Sequence, residues 1–211
     1  MLQLKSIDLK KTKTETLIIP VCEDKTIHDN PTISLLIKKA NQIKEFAGKK
    51  DDEIVFYDLK EVKAKRVMFL GLGKLEKIDP EALRAFAGRA VKKCIKINFP
   101  EILLTVPCGK NIKIDIASTL EAMMEGAFLG NHVFNKYKKE KTLKSLKKIN
   151  LFVKADMVRK YGILATRVEA VCAGTILSRE WVSTPSNDKK PEQFTKSIGN
   201  VQKCLHSLKI D

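Results

Sequence analysis

Gly71-Leu72-Gly73-Lys74 is the stretch whose residue types come nearest to a phosphate-binding loop, and it stands between a strand-like and a helix-like segment. A P-loop needs a glycine five residues before its Gly-Lys pair and a hydroxyl after it, because backbone amides wrap the phosphate and the hydroxyl binds Mg²⁺. Those positions hold Met68 and Leu75, and Glu76 stands where a dinucleotide loop needs its third glycine. The stretch therefore reads as a tight turn closing a strand. His28, His132 and His206 are scattered, and only Cys204 and His206 are close together. Zinc sites use about four ligands in paired short spacings, and no such pairing is visible. No serine sits in a G-x-S-x-G elbow, and no carboxylate pair stands out.

The strongest electrostatic feature is KYKKEKTLKSLKK, which carries Lys136, Lys138, Lys139, Lys141, Lys144, Lys147 and Lys148 with one acid, Glu140. Lysines that neutralise several phosphates give salt-dependent polyanion binding, with Phe134 and Tyr137 alongside as candidate stacking groups. The alternative is a solvated loop in a lysine-rich protein. The net charge of +15 favours attraction to polyanions without bearing on fold.

The elements that must position these residues alternate. Gln3–Ile7 and Thr16–Cys22 read as strands, and Pro31 starts a helix carrying Ile33, Leu36, Ile37, Ala40 and Ile43 up to Gly48. Glu53–Leu59 and Lys65–Leu70 are further strands. Asp79-Pro80-Glu81 then opens a helix by its cap, its first-turn proline and its dipole-matched acid, with Leu83, Phe86, Ala87, Ala90, Val91 and Cys94 as its apolar stripe. Ile102–Val106 reads as a buried strand. A helix capped by Asp115 runs to about Phe134, with Ile116, Leu120, Met123, Ala127 and Gly130 inward. Ile149–Val153 is a last strand, followed by a long helix from about Tyr161 with Leu164, Val168, Val171, Cys172, Thr175 and Ile176 on one side. Strands alternating with helices imply an α/β fold with helices on both faces of a sheet. The two opening strands and the pair around Val62 can be hairpins, so the sheet is expected to be mixed.

A chain of 211 residues allows one domain plus an appendage. Its 44% hydrophobic and 31% charged residues are those of a globular chain rather than a disordered one. The apolar runs are too short to span a membrane, and the N-terminus lacks the pattern of a signal peptide. Five dispersed cysteines without a C-x-x-C match a reduced, cytoplasmic protein.

Three segments resemble the leucyl aminopeptidase (cytosol aminopeptidase) family. KRVMFLGLGKLEKIDPEALRAFAGRAVKKC, Lys65–Cys94, is similar to its strand–GLGK–helix segment. EGAFLGNHVFNKYK, Glu125–Lys138, is similar to E-G-x-x-L-G-x-Y-x-F-x-x-Y-K, with His132 in the place of an aromatic residue. Ser178–Asn187 resembles the joint A-R-D-L-V-N-T-P-P-N. Arg179, Val182, Thr184, Pro185 and Asn187 match it, Glu180 is conservative, and Trp181, Ser183 and Ser186 depart.

The resemblance implies a macro-domain-like three-layer αβα sandwich with a mixed sheet, followed by a long connecting helix. It divides the chain into a macro-like domain at 1–157, a helix and joint at 158–190, and the start of a catalytic domain at 191–211. The family's two metal ions, manganese or zinc, are held by a lysine, aspartates and a glutamate, including an N-T-D-A-E-G-R motif. All of these lie beyond the joint, so no catalytic or metal residue and no cofactor is expected in this chain. The implied partners are a C-terminal catalytic domain and, in the intact protein, the copies of a homo-hexamer. DNA is the partner under the alternative reading of the lysine run, and no membrane is expected. Nucleotide binding by macro-domain analogy is not expected, because the Gly71 turn lacks phosphate-loop chemistry. Leu205, Leu208 and Ile210 are expected to lack their normal cover.

Overall fold

The structure, a computed structural model, describes residues 2–139 and 143–204, with side chains through Val201. Leu205, Leu208 and Ile210 lie outside the described residues. Two compact units are present, Met1–Cys172 and the segment from Ala173 on.

The first unit is built on β2, Thr14–Cys22, a run of branched and apolar residues buried from Thr16 to Cys22. Such a strand needs cover on both faces. Its neighbours are β4 (Ala64–Gly73) and β5 (Glu101–Thr105), both parallel to it. β6 (Lys148–Phe152) follows β5 in parallel, and β1 (Leu2–Lys5) closes that edge. β3 (Glu53–Tyr57) runs antiparallel to β4 at the other edge. The order β1-β6-β5-β2-β4-β3 is a mixed six-stranded sheet.

Alternation along the strands sorts the two cores. Ile18, Met68, Leu70, Ile102, Leu104 and Leu151 face α2 (Pro80–Lys96) and α3 (Ile116–Gly130). Leu17, Ile19, Val67, Phe69 and Leu103 face α1 (Pro31–Ala40). The expected three-layer αβα sandwich is thus present, and α5 (Gly162–Ser183), preceded by α4 (Ala155–Lys160), is the long helix after it.

The helix starts follow the sequence signals. Asn30 accepts from the amides of Thr32 and Ile33 at 3.0 and 3.2 Å ahead of Pro31. Asp79 accepts from Ala82 at 2.7 Å, and Asp115 from Ser118 at 2.9 Å. α2 ends in a Schellman motif. Asn98 takes φ +56, its amide bonds to Ile95 O at 3.1 Å, and Phe99 N bonds to Cys94 O at 3.0 Å. All six residues read as the α2 stripe are buried.

Four expectations are corrected. β1 is not hairpinned to β2. Leu9, 6% exposed, is anchored in the α1-side core, and its carbonyl accepts from Lys63 N, so the connection runs beneath the sheet and β1 joins β6 instead. α1 stops at Ala40 rather than near Gly48, because residues 41–52 turn back along β4 and bury Phe46. α3 stops at Gly130, where the Asn131 side chain clasps Leu146, accepting from its amide at 2.7 Å and donating to its carbonyl at 3.2 Å. Val171 is 58% exposed, whereas Val168 and Cys172 are buried. The β3–β4 hairpin around Val62 is present as read.

Candidate functional site

Open α/β sheets carry ligands outside the carboxyl ends of their strands, where the chain departs to opposite faces. One such place lies between β2 and β5, which lead into α1 and α3. It is filled by protein. The amides of Cys108 and Gly109 donate to Ile27 O at 3.1 and 2.8 Å, and Asn111 Nδ2 donates to Thr26 O at 2.8 Å. A Cβ on Gly109 would sit 2.7 Å from the carbonyl carbon of Ile27, so glycine is what allows the two loops to meet.

His28 lies under this seal, 3% exposed, with Nε2 2.9 Å from Pro20 O. Nε2 therefore carries the proton, and Nδ1 has no hydrogen-bond partner among the described residues. Burial pulls the pKa of His28 down to about 4, against the opposing pull of the Pro20 bond and of Asp29. His28 is a neutral pin between loop and strand. In the sequence it is one of three scattered histidines, and no local signal marks it as buried.

The Gly71–Lys74 stretch is not an open turn, since β4 continues to Gly73. The Gly71 amide donates to Asp52 O at 2.8 Å and the Gly73 amide to Gly48 O at 3.0 Å. A Cβ on Gly71 would sit 2.8 Å from the carbonyl carbon of Lys49. A phosphate loop needs free amides aimed at its ligand, and these two are committed. A cleft of about 650 Å³ lies beside them, bounded by Lys50, Leu72, Lys74, Glu81, Phe86 and Arg89. Arg89 is occupied in holding the loop down, donating to Gly71 O at 2.9 Å and pairing with Asp51.

The described part of the lysine run lies at the surface. Lys136, Lys138, Lys139, Lys144, Lys147 and Lys148 are exposed, and Lys141 lies outside the described residues. Asn135 Nδ2 donates to Leu143 O at 2.6 Å, and with the Asn131–Leu146 pair this brings the two ends of the run side by side. Phe134 and Tyr137 pack with centroids 5.8 Å apart, and Lys136 Nζ stands 5.3 Å from the Tyr137 ring, which is 43% exposed. A second basic–aromatic stack is invisible in the sequence. The Arg66 guanidinium lies 4.0 Å from the Phe99 ring centroid and 5.9 Å from that of Tyr57. Only the register Tyr57↔Arg66 and the Schellman turn bring these three together.

Two divalent ions need several convergent ligands. Among the described residues no three of His, Cys, Asp or Glu converge, so these residues do not fit a metal pair. Burial pushes the Cys22 and Cys94 thiols up to about 12, which makes them packing groups rather than ligands or nucleophiles. Among the described residues no helix is long and apolar enough to cross a membrane.

Residues 23–141 match the family model described as "Cytosol aminopeptidase family, N-terminal domain". A probable cytosol aminopeptidase of Clostridium perfringens is 28% identical over 197 residues, covering 91% of this chain and 39% of that protein. One from Pseudomonas syringae pv. syringae is 25% identical, covering 100% and 44%. The chain thus spans about two fifths of the length of these relatives. A tomato leucine aminopeptidase mutant superposes with a TM-score of 0.76 at 18% identity, covering 96% of this chain and 42% of that one. A bottromycin maturation enzyme solved with Mn gives 0.65 at 15% identity, covering 90% and 36%. At these identities the superpositions speak to fold alone.

Proposed function

This chain belongs to the cytosol aminopeptidase family as its N-terminal domain, and on that premise we propose that it is the non-catalytic N-terminal segment of a two-metal leucyl aminopeptidase that releases N-terminal amino acids from peptides. The observation that carries this reading is the coverage: nine tenths or more of the chain aligns with about two fifths of each of these relatives. The manganese or zinc ions and their ligands belong to the remaining three fifths. In this reading residues 1–157 form the macro-like domain, 158–190 the helix and joint, and 191–211 the start of the catalytic domain. The segment contributes to assembly of a cytosolic homo-hexamer and to its regulation. The purified 211-residue chain is expected to show no hydrolysis of leucine p-nitroanilide with Mn²⁺ or Zn²⁺, whereas a chain extended through the catalytic domain turns it over. Activity of the short chain that tracks added Mn²⁺ would overturn the reading.

A second reading rests on the side-by-side exposed lysines next to Tyr137. As a nucleic-acid surface, the segment should bind duplex DNA with an affinity that falls about a thousandfold between roughly 50 and 200 mM salt, if about six phosphates are contacted. Changing Lys138, Lys139 and Lys144 to glutamate should abolish the gel shift. An unchanged affinity would mark the run as a solvated face.

A further inference from the structure

Trp181 departs from the leucine that the family's joint pattern carries, and the fold gives it four partners. Its indole Nε1–H donates to Ser197 Oγ at 2.8 Å. Its ring meets Phe194 edge to face, with centroids 5.2 Å apart and planes at 74°. Its carbonyl accepts from Lys189 Nζ at 3.0 Å and from Thr184 N at 3.3 Å. Ser197 and Phe194 lie on α6 (Pro191–Cys204), and Lys189 lies in the polar link from Thr184 to Lys190. The link is further tied by the bond of Asp188 N to Pro185 O at 3.0 Å, and Lys190 N donates to Gln193 Oε1 at 3.2 Å at the mouth of α6.

We infer that Trp181 is the latch of a folded helical hairpin, holding α6 against the last turn of α5 so that the polar joint is a fixed bend rather than a free linker. The chemistry is particular to tryptophan. Leucine fills space but has no N–H for Ser197 and no ring edge or face for Phe194. The serine hydroxyl and the indole N–H satisfy each other where both are partly withdrawn from water. All the partners lie within the unit that begins at Ala173. The consequence for a following catalytic domain rests on the function proposed above: its first helix leaves the joint in a direction set by this latch. The latch itself does not depend on that reading.

Trp181 is the one tryptophan of the chain, so its emission reports this contact alone. Native protein should emit to the blue of the urea-unfolded chain and resist iodide quenching. Phe194→Leu and Ser197→Ala should each shift emission toward that of the unfolded chain. Trp181→Leu should speed tryptic cleavage after Lys189 about tenfold, as expected when a ring pair and its hydrogen bond no longer hold the closed form. The far-UV melting transition of the first unit should be unchanged in all three variants. Native emission equal to that of unfolded protein, or cleavage unaffected by Trp181→Leu, would overturn the latch. No activity is read in this experiment, so its failure leaves the aminopeptidase reading intact, and the converse also holds.

Discussion

Gly126→Ala is expected to destabilise the protein by about 2 kcal/mol, although alanine is the better helix former by roughly 1 kcal/mol. α2 and α3 meet backbone to backbone. A Cβ on Gly126 would lie 2.8 Å from the carbonyl carbon of Arg84 and closer still to its oxygen. One turn along, a Cβ on Gly130 would lie 2.8 Å from the Cα of Gly88. The obstacle is main chain in the middle of a helix, so no side chain can swing aside. The helices must part, which opens gaps around Leu83, Phe86, Met123 and Ala127 on the same interface. Arg84 adds to the rigidity of the contact by donating Nε to Glu125 at 2.7 Å and pairing with Glu81. For a chain of this size such a loss lowers the melting temperature by about 4–8 °C, readable by circular dichroism. Gly174→Ala is the control. Nothing lies within 4 Å of its Cβ position in α5, so there the helix preference acts alone and stability should rise by up to about 1 kcal/mol. An unchanged or raised melting temperature for Gly126→Ala would refute the close approach.

The second large effect is a loss of stability on mild acidification, carried by His28. The folded-state pKa is about 4 and the unfolded value is 6.5. The unfolded chain therefore binds a proton first as pH falls. The contribution of the neutral pin is complete above the unfolded value, declines as pH falls from about 6.5 to 4, and is flat below. A displacement of this size corresponds to roughly 3 kcal/mol. The lowered carboxyl pKa values, at Glu61 through its Lys39 bond and at Asp115 through its Ser118 bonds, work in the same direction. Their loss falls below the ordinary carboxylate range, under the His28 window. Urea denaturation at pH 7.5, 6 and 4.5 should show stability falling across this range, and His28→Gln should flatten that fall. A His28→Gln protein with the wild-type slope would remove His28 as the cause. The loops it pins to β2 are those that seal the crevice, so acid should loosen residues 23–30 and 106–112 first, visible as faster amide exchange there.

Much of this was legible in the linear chain because it rests on local physics. The helix start at Pro31, the caps at Asp79 and Asp115, the apolar stripe of α2 and the strand Lys65–Leu70 are set by spacing and by neighbouring residues, and each stands where it was read. The family was legible through three short segments, and its model spans 23–141. Pairing partners and closures were not. Whether Leu2–Lys5 turns back on β2 or crosses to β6 depends on where Leu9 finds its cover, a contact with no local signature. The glycines at 71 and 109 suited an open turn equally well. Only the fold shows that other stretches of backbone lie over them and consume the amides a ligand would need. His28 had nothing in its neighbourhood to mark it as buried. The sequence by itself determined the alternation of elements, their caps and the family. The tertiary structure decided which backbone groups remain free, because a hydrogen bond between residues some 20 to 80 positions apart is settled by packing rather than by propensity.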